Sequence, residues 1–134
     1  MNDNHTQPFV RTAVSLSAMA FAAVGTLLLF APDEVSGALF ARPGDSALFQ
    51  LVGAAMFGFA SMSWIARGSL LGGIYGRAVV AGNQTHLTIG ALILAKHGIV
   101  AGGSTAYWFL TGVYVAGALL FNYLFFFSSG IRGK

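Results

Sequence analysis

Asn83, Gln84, Thr85 and His86 interrupt an otherwise apolar stretch, RAVVAGNQTHLTIGALILAKHGIV, at residues 77–100. Consecutive hydrogen-bonding side chains in such a setting are the first place to look for chemistry. Amide and imidazole groups can hold the polar end of a bound molecule, or they can bond across to neighbouring helices. Asn122 and the serines Ser15, Ser17, Ser61 and Ser63 are further small polar residues in comparable apolar surroundings.

More demanding chemistry finds little support. His86 and His97 lie about 16 Å apart along a helix at 1.5 Å per residue, so they cannot ligate opposite faces of one haem iron. No other apolar stretch carries a histidine, which leaves a single axial ligand as the one haem arrangement available. Asp33, Glu34 and Asp45 cluster between two apolar stretches, and none of these stretches contains an acid. That removes a carboxylate metal site and the membrane-embedded acid that a proton-coupled exporter needs. Ser61 or Ser63 with His86 makes a nucleophile–base pair on paper, but no acid completes it. The chain has no cysteine, which excludes disulfides and thiolate chemistry. Gly72-Gly73 and Gly102-Gly103 lack the residues that follow a phosphate loop and read as turns. The sequence therefore assigns no catalytic residue and no metal ligands.

Composition dictates the elements that position these residues. Of 134 residues, 56% are hydrophobic and 8% charged, against about 25% charged in a soluble domain. The apolar residues form four runs, at roughly 12–31, 46–66, 78–100 and 106–128, each near the length of about 20 residues that a membrane helix needs. Pro32, Pro43-Gly44, Gly72-Gly73 and Gly102-Gly103 mark the breaks, and no gap has room for another domain. The expected fold is all-α, an integral membrane four-helix bundle forming a single domain. Arg11 and Ala18-Met19-Ala20 resemble parts of a signal peptide. The run continues through Phe30, however, about 19 residues in all, which is too long for a signal core, and it reads as a retained span. In the connector APDEVSGALFARPGDS, Pro32 suits a first helical position, and Asp33 and Glu34 complement a helix N-terminus. Val35, Leu39 and Phe40 then line one face of a short helix on the outer surface, read as an interfacial connector with a lid as the alternative.

Charge orients the spans. The net charge of +3 is scattered and offers no stripe for nucleic acid. Arg11, Arg67, Arg77, Arg132 and Lys134 fall on one side, and Arg42 and Lys96 on the other with Asp33, Glu34 and Asp45. The positive-inside rule places both termini and the 67–77 loop in the cytoplasm. Trp64 and Tyr123 then sit at the inner boundary, and Tyr107 and Trp108 at the outer one. Arg67 and Arg77 flank the inner mouth, where they enforce topology or contact anionic lipid headgroups.

In this frame Asn83, His86, Asn122, Ser61 and Ser63 share the cytoplasmic half of the bilayer. Val79, Asn83, His86, Gly90, Leu94 and His97 fall within an arc of about 80° that faces the interior, while Ile89, Leu92 and Ile93 face lipid. Gln84, Thr88, Ala91 and Ala95 make a second stripe suited to a close helix neighbour. Ala18/Ala22, Ala54/Gly58 and Gly112/Ala116 add small-residue spacings for tight packing. Two readings fit the polar cluster. It fixes helix register through bonds worth about 1 kcal/mol or less each, or it lines a cavity open to the cytoplasm that holds a polar headgroup.

The connector PDEVSGALF, the second span LVGAAMFGFASMSWIARG and the pattern of four short helices resemble small DoxX-like bacterial inner-membrane proteins. The resemblance implies a four-helix bundle in a bacterial inner membrane. Some members of that broad group are linked to quinone or thiol oxidation, but no catalytic residue carries over, and this chain lacks cysteine. The leading expectation is a non-enzymatic binding or accessory component whose partner is the lipid bilayer. The alternative is a redox-associated protein holding a quinone or similar lipophilic ligand with Asn83, His86, Asn122 and Ser61 in a cytoplasm-facing pocket. A small transporter-like homo-oligomer is the third.

Overall fold

Five helices make up the regular structure among the described residues of the computed structural model, which are 3–40, 44–67 and 74–127. They are α1 (Asp3–Phe30), α2 (Pro32–Phe40), α3 (Ser46–Ala66), α4 (Ile74–Ala101) and α5 (Thr105–Phe127). Four are long and apolar enough to cross a membrane: α3, α5, the Pro8–Phe30 part of α1 and the Gly76–Ala101 part of α4. The chain is an all-α, four-helix, multi-pass membrane protein. Arg42, Pro43, Gly72, Gly73, Arg132 and Lys134, used above to mark breaks or to orient the spans, lie outside the described residues.

Local chemistry explains where the helices stop. Asp45 caps α3 by accepting from the Ala47 N–H at 3.0 Å. Gly102, at φ 73°, ends α4 in the left-handed region that favours glycine. Ser104 caps α5 by accepting from the Tyr107 N–H at 3.1 Å. The short connector helix is present as α2, with Pro32 in its first position. Antiparallel succession puts the start of α1, the end of α3, the start of α4 and the end of α5 at one end of the bundle, here the terminal end. The other is the α2 end.

The spans associate as two pairs. α1 packs extensively on α3 and α4 on α5, while α3 meets α4 over a much smaller area. Gly25 and Gly53 bring α1 and α3 together. A Cβ on either would lie 2.9 Å from the other's carbonyl oxygen, so no larger residue permits this approach. The most completely buried large apolar side chains are Val10, Val14, Val80, Phe121 and Leu124, all in the terminal half. Ile89, Leu92 and Ile93 are exposed, as lipid-facing residues must be in a bundle whose solvent is hydrocarbon. Tyr107 departs from the expected interfacial belt. It is buried, and its hydroxyl donates to the Leu94 carbonyl at 2.8 Å, which satisfies the phenol without water.

Candidate functional site

The polar run on α4 distributes its side chains among all the neighbouring helices, because each step along a helix turns about 100°. Asn83 is buried and faces α3. Its Nδ2 donates to Ser63 Oγ at 3.0 Å and to the Val79 carbonyl at 2.8 Å, and its Oδ1 has no partner among the described residues. Gln84 faces α5, donating to Asn122 Oδ1 at 3.0 Å, while Asn122 Nδ2 donates to Thr88 Oγ1 at 2.9 Å. The second stripe of α4 is thus a polar seam against α5. Thr85 is exposed, and its hydroxyl donates to Oε1 of its neighbour Gln84 at 3.3 Å.

His86 reaches the centre of the bundle near mid-height. It stacks on Phe59 of α3 at 4.7 Å between ring centroids and meets Phe21 of α1 edge-on at 5.7 Å. Its Nε2 lies 3.3 Å from the Tyr114 hydroxyl of α5. Each spanning helix therefore contributes one ring to a single cluster. The cluster separates a filled terminal half from a half-open α2 half.

That open half holds a cavity of about 590 Å³ with walls from all five helices. Val24 and Leu28 of α1, Phe49 and Val52 of α3, and Leu94 of α4 are among its apolar lining, and Val35, Leu39 and Phe40 of α2 close its end. Tyr114 and Met56 lie on its inner side, next to the ring cluster. Leu48, Val52 and Ile93 line it while remaining about half exposed, so the cavity communicates with the lipid phase where α3 and α4 diverge. α2 is tied across it. Ser46 Oγ on α3 donates to Asp33 Oδ1 at 2.6 Å, and Ser104 Oγ donates to the Ala38 carbonyl at 2.9 Å.

The four residues read from sequence as one ligand-binding set do not converge. Asn83 pairs with α3, Asn122 with Gln84 and Thr88, and His86 with the rings. Ser61 is exposed in a shallow trough between α1 and α3, and Ser63, two residues on, takes the interior position. The large cavity lies in the opposite half from the one expected, because hydrogen bonds close the terminal half and side-chain packing fills it. Neither Arg67 nor Arg77 lines the large cavity. The Arg67 guanidinium lies over the Trp64 ring, 3.4 Å from its centroid, and Arg77 is exposed. Tyr114, Phe59 and Phe21 were not singled out by sequence reasoning. Tyr114 had a readable signal, a hydroxyl in the middle of an apolar span, but the phenylalanines are two among twelve. Among the described residues, no three His, Asp or Glu side chains gather where they could hold a metal ion.

Chemically, this arrangement offers an apolar chamber with one directed polar handle. When Nε2 carries the His86 proton, the imidazole donates to the Tyr114 oxygen. The hydroxyl hydrogen is then free for Met56 Sδ, 4.0 Å away, or for an acceptor in the cavity. No protein-family model, no curated protein and no solved structure matches the chain.

Proposed function

We propose that this protein is a non-enzymatic binding component that takes a lipophilic molecule from the bilayer into the cavity between its two helix pairs. The carrying observation is the cavity of about 590 Å³ with Tyr114 as its polar handle. That volume falls within the range of about 300–1,000 Å³ typical of small-molecule sites. The preferred ligand is mostly apolar and presents a hydrogen-bond acceptor, such as a carbonyl, to the Tyr114 hydroxyl. A quinone meets that description, and its contact moves from Asn83 and Asn122 to Tyr114 with His86 behind it. A bacterial inner-membrane location, both termini in the cytoplasm and the DoxX-like kinship belong to the same proposal.

The test is purification in mild detergent followed by extraction and mass spectrometry of bound lipophilic compounds. Wild type should carry a compound enriched over bulk lipid. Val52→Trp, which fills the cavity, should lose it. Tyr114→Phe should retain roughly two- to twelvefold less, the value of one hydrogen bond of about 0.5–1.5 kcal/mol. Identical extracts from wild type and Val52→Trp would overturn the proposal.

A further inference from the structure

A second concavity lies on the outside of the bundle, separate from the cavity above. It is a trough of about 290 Å³ between α1 and α3, lined by Ala18, Ala22, Ala60, Ser61 and Trp64 among others. Small side chains from both helices floor it between the larger Met19, Phe57 and Trp64, and its opening faces lipid. Helical spacing continues both walls toward the terminal end. On α1, Arg11 lies seven residues before Ala18 and eleven before Ala22, on the same face. On α3, Arg67 follows Trp64 by three residues and holds its guanidinium against the Trp64 ring, 3.4 Å from the centroid, with its Nη1 donating to the Trp64 carbonyl at 2.8 Å.

The two cations are also level. A Cβ at Gly25 would lie 2.9 Å from the Gly53 carbonyl oxygen and 3.2 Å from the Phe57 nitrogen, which fixes the α1–α3 register. Carried toward the terminal end, that register brings Arg11 to within two positions of Arg67, roughly 3 Å in height. Of the four acids, Asp33, Glu34 and Asp45 sit at the opposite end of the bundle, and Asp3 begins α1 eight residues before Arg11. Two guanidinium groups thus stand at the foot of an apolar trough that begins at the depth of a headgroup and runs into the acyl region.

We infer that this trough is a binding site for one anionic phospholipid, with an acyl chain along Ala18, Ala22 and Ser61 and its phosphate between Arg11 and Arg67. Planar guanidinium groups suit a phosphate, and the trough orients the chain that follows it. A zwitterionic lipid fills the same trough but gains less from the arginine pair, because its own cation offsets the phosphate charge.

The test uses the full chain in micelles doped with equal amounts of phosphatidylglycerol and phosphatidylcholine of identical acyl chains, read by native mass spectrometry. Each arginine near a membrane surface favours an anionic lipid about fivefold, so the pair predicts a preference of about thirtyfold for phosphatidylglycerol. Arg11→Gln with Arg67→Gln should abolish the preference. Arg77→Gln, a cation on α4 away from the trough, should leave it intact. Ser61→Phe, which fills the trough from an exposed position, should reduce retention of both lipids. Unfolding in detergent verifies that each variant is folded. Equal retention of the two lipids by wild type, an undiminished preference in the double variant, an equal loss in Arg77→Gln, unchanged retention in Ser61→Phe, or a lipid-free dimer would each overturn the inference.

Discussion

Replacing Asn83 by valine tests what the buried amide contributes. Asn83 and Ser63 are both 0% exposed, and their bond joins α4 to α3 at the terminal end, where the two helix pairs meet. Interhelical hydrogen bonds in membranes contribute about 0.6 kcal/mol on average and at most about 1.7. Ser63→Ala should therefore cost about 0.6 kcal/mol, since the amide keeps its bond to the Val79 carbonyl. Asn83→Val loses that bond and the one to the Val79 carbonyl, but it also removes Oδ1, an acceptor with no partner among the described residues. Burying such an orphan costs about 1–3 kcal/mol, so the valine variant should be neutral or up to about 2 kcal/mol more stable. The volumes are similar, and the freed Ser63 hydroxyl can turn to its own helix backbone. Reversible unfolding in mixed detergent micelles gives both values, and the double variant should show coupling near 0.6 kcal/mol. A loss above about 2 kcal/mol in Asn83→Val, with no coupling to Ser63, would refute this account.

Gly90→Ala should destabilise by about 1–3 kcal/mol, because a Cβ there falls against the Tyr114 ring and drives it from His86; Gly112→Ala, whose Cβ meets nothing within 4 Å, is the control in the same unfolding assay. Cysteines introduced at Gln84 and Asn122 should cross-link faster than those at Asn83 and Asn122, since the hydrogen bond joins the first pair; equal rates would contradict the polar seam. Reporter fusions at Lys134 and within residues 36–41 should report opposite compartments, and a shared compartment would refute the four-span topology.

The spans and α2 were legible because their causes are local. Hydropathy sets the runs, and Pro32, Asp45 and Gly102 punctuate them within a few residues of each boundary. Helical periodicity also separated the lipid face of α4 from its two polar stripes. What periodicity lacks is the identity of the neighbour. A single step of about 100° carries the amide of Asn83 toward α3 and that of Gln84 toward α5. Two steps likewise divide exposed Ser61 from buried Ser63, although both were placed at one depth. Tyr107 reads as a belt residue until its partner, the Leu94 carbonyl on another helix, is known. The cavity had no sequence signal at all, because it arises from the divergence of two helix pairs that no local motif encodes.

That divergence bears directly on selectivity. Inside a bilayer, an apolar wall does not distinguish a ligand from a lipid tail, since both leave an equally apolar solvent. Leu28, Val52 and Leu94 can therefore give the chamber its shape but little preference among occupants of similar size. α2 keeps the shape from collapsing. Phe40 packs between Phe49 and Tyr107, with ring centroids 6.2 and 5.8 Å away, while Ser46 and Ser104 anchor the helix to α3 and α5. In the proposed binding role, discrimination then falls to Tyr114. An occupant without an acceptor leaves its hydroxyl to Met56 or His86 and gains nothing over a lipid tail. One with a carbonyl gains a hydrogen bond in a medium where no water competes. Tyr114→Phe should consequently change the identity of the bound material more than its total amount, whereas Val52→Trp should lower the amount of whatever is bound. Comparing the composition and the quantity of the extracts separates the two effects. A Tyr114→Phe extract with wild-type composition would show that shape alone selects the occupant.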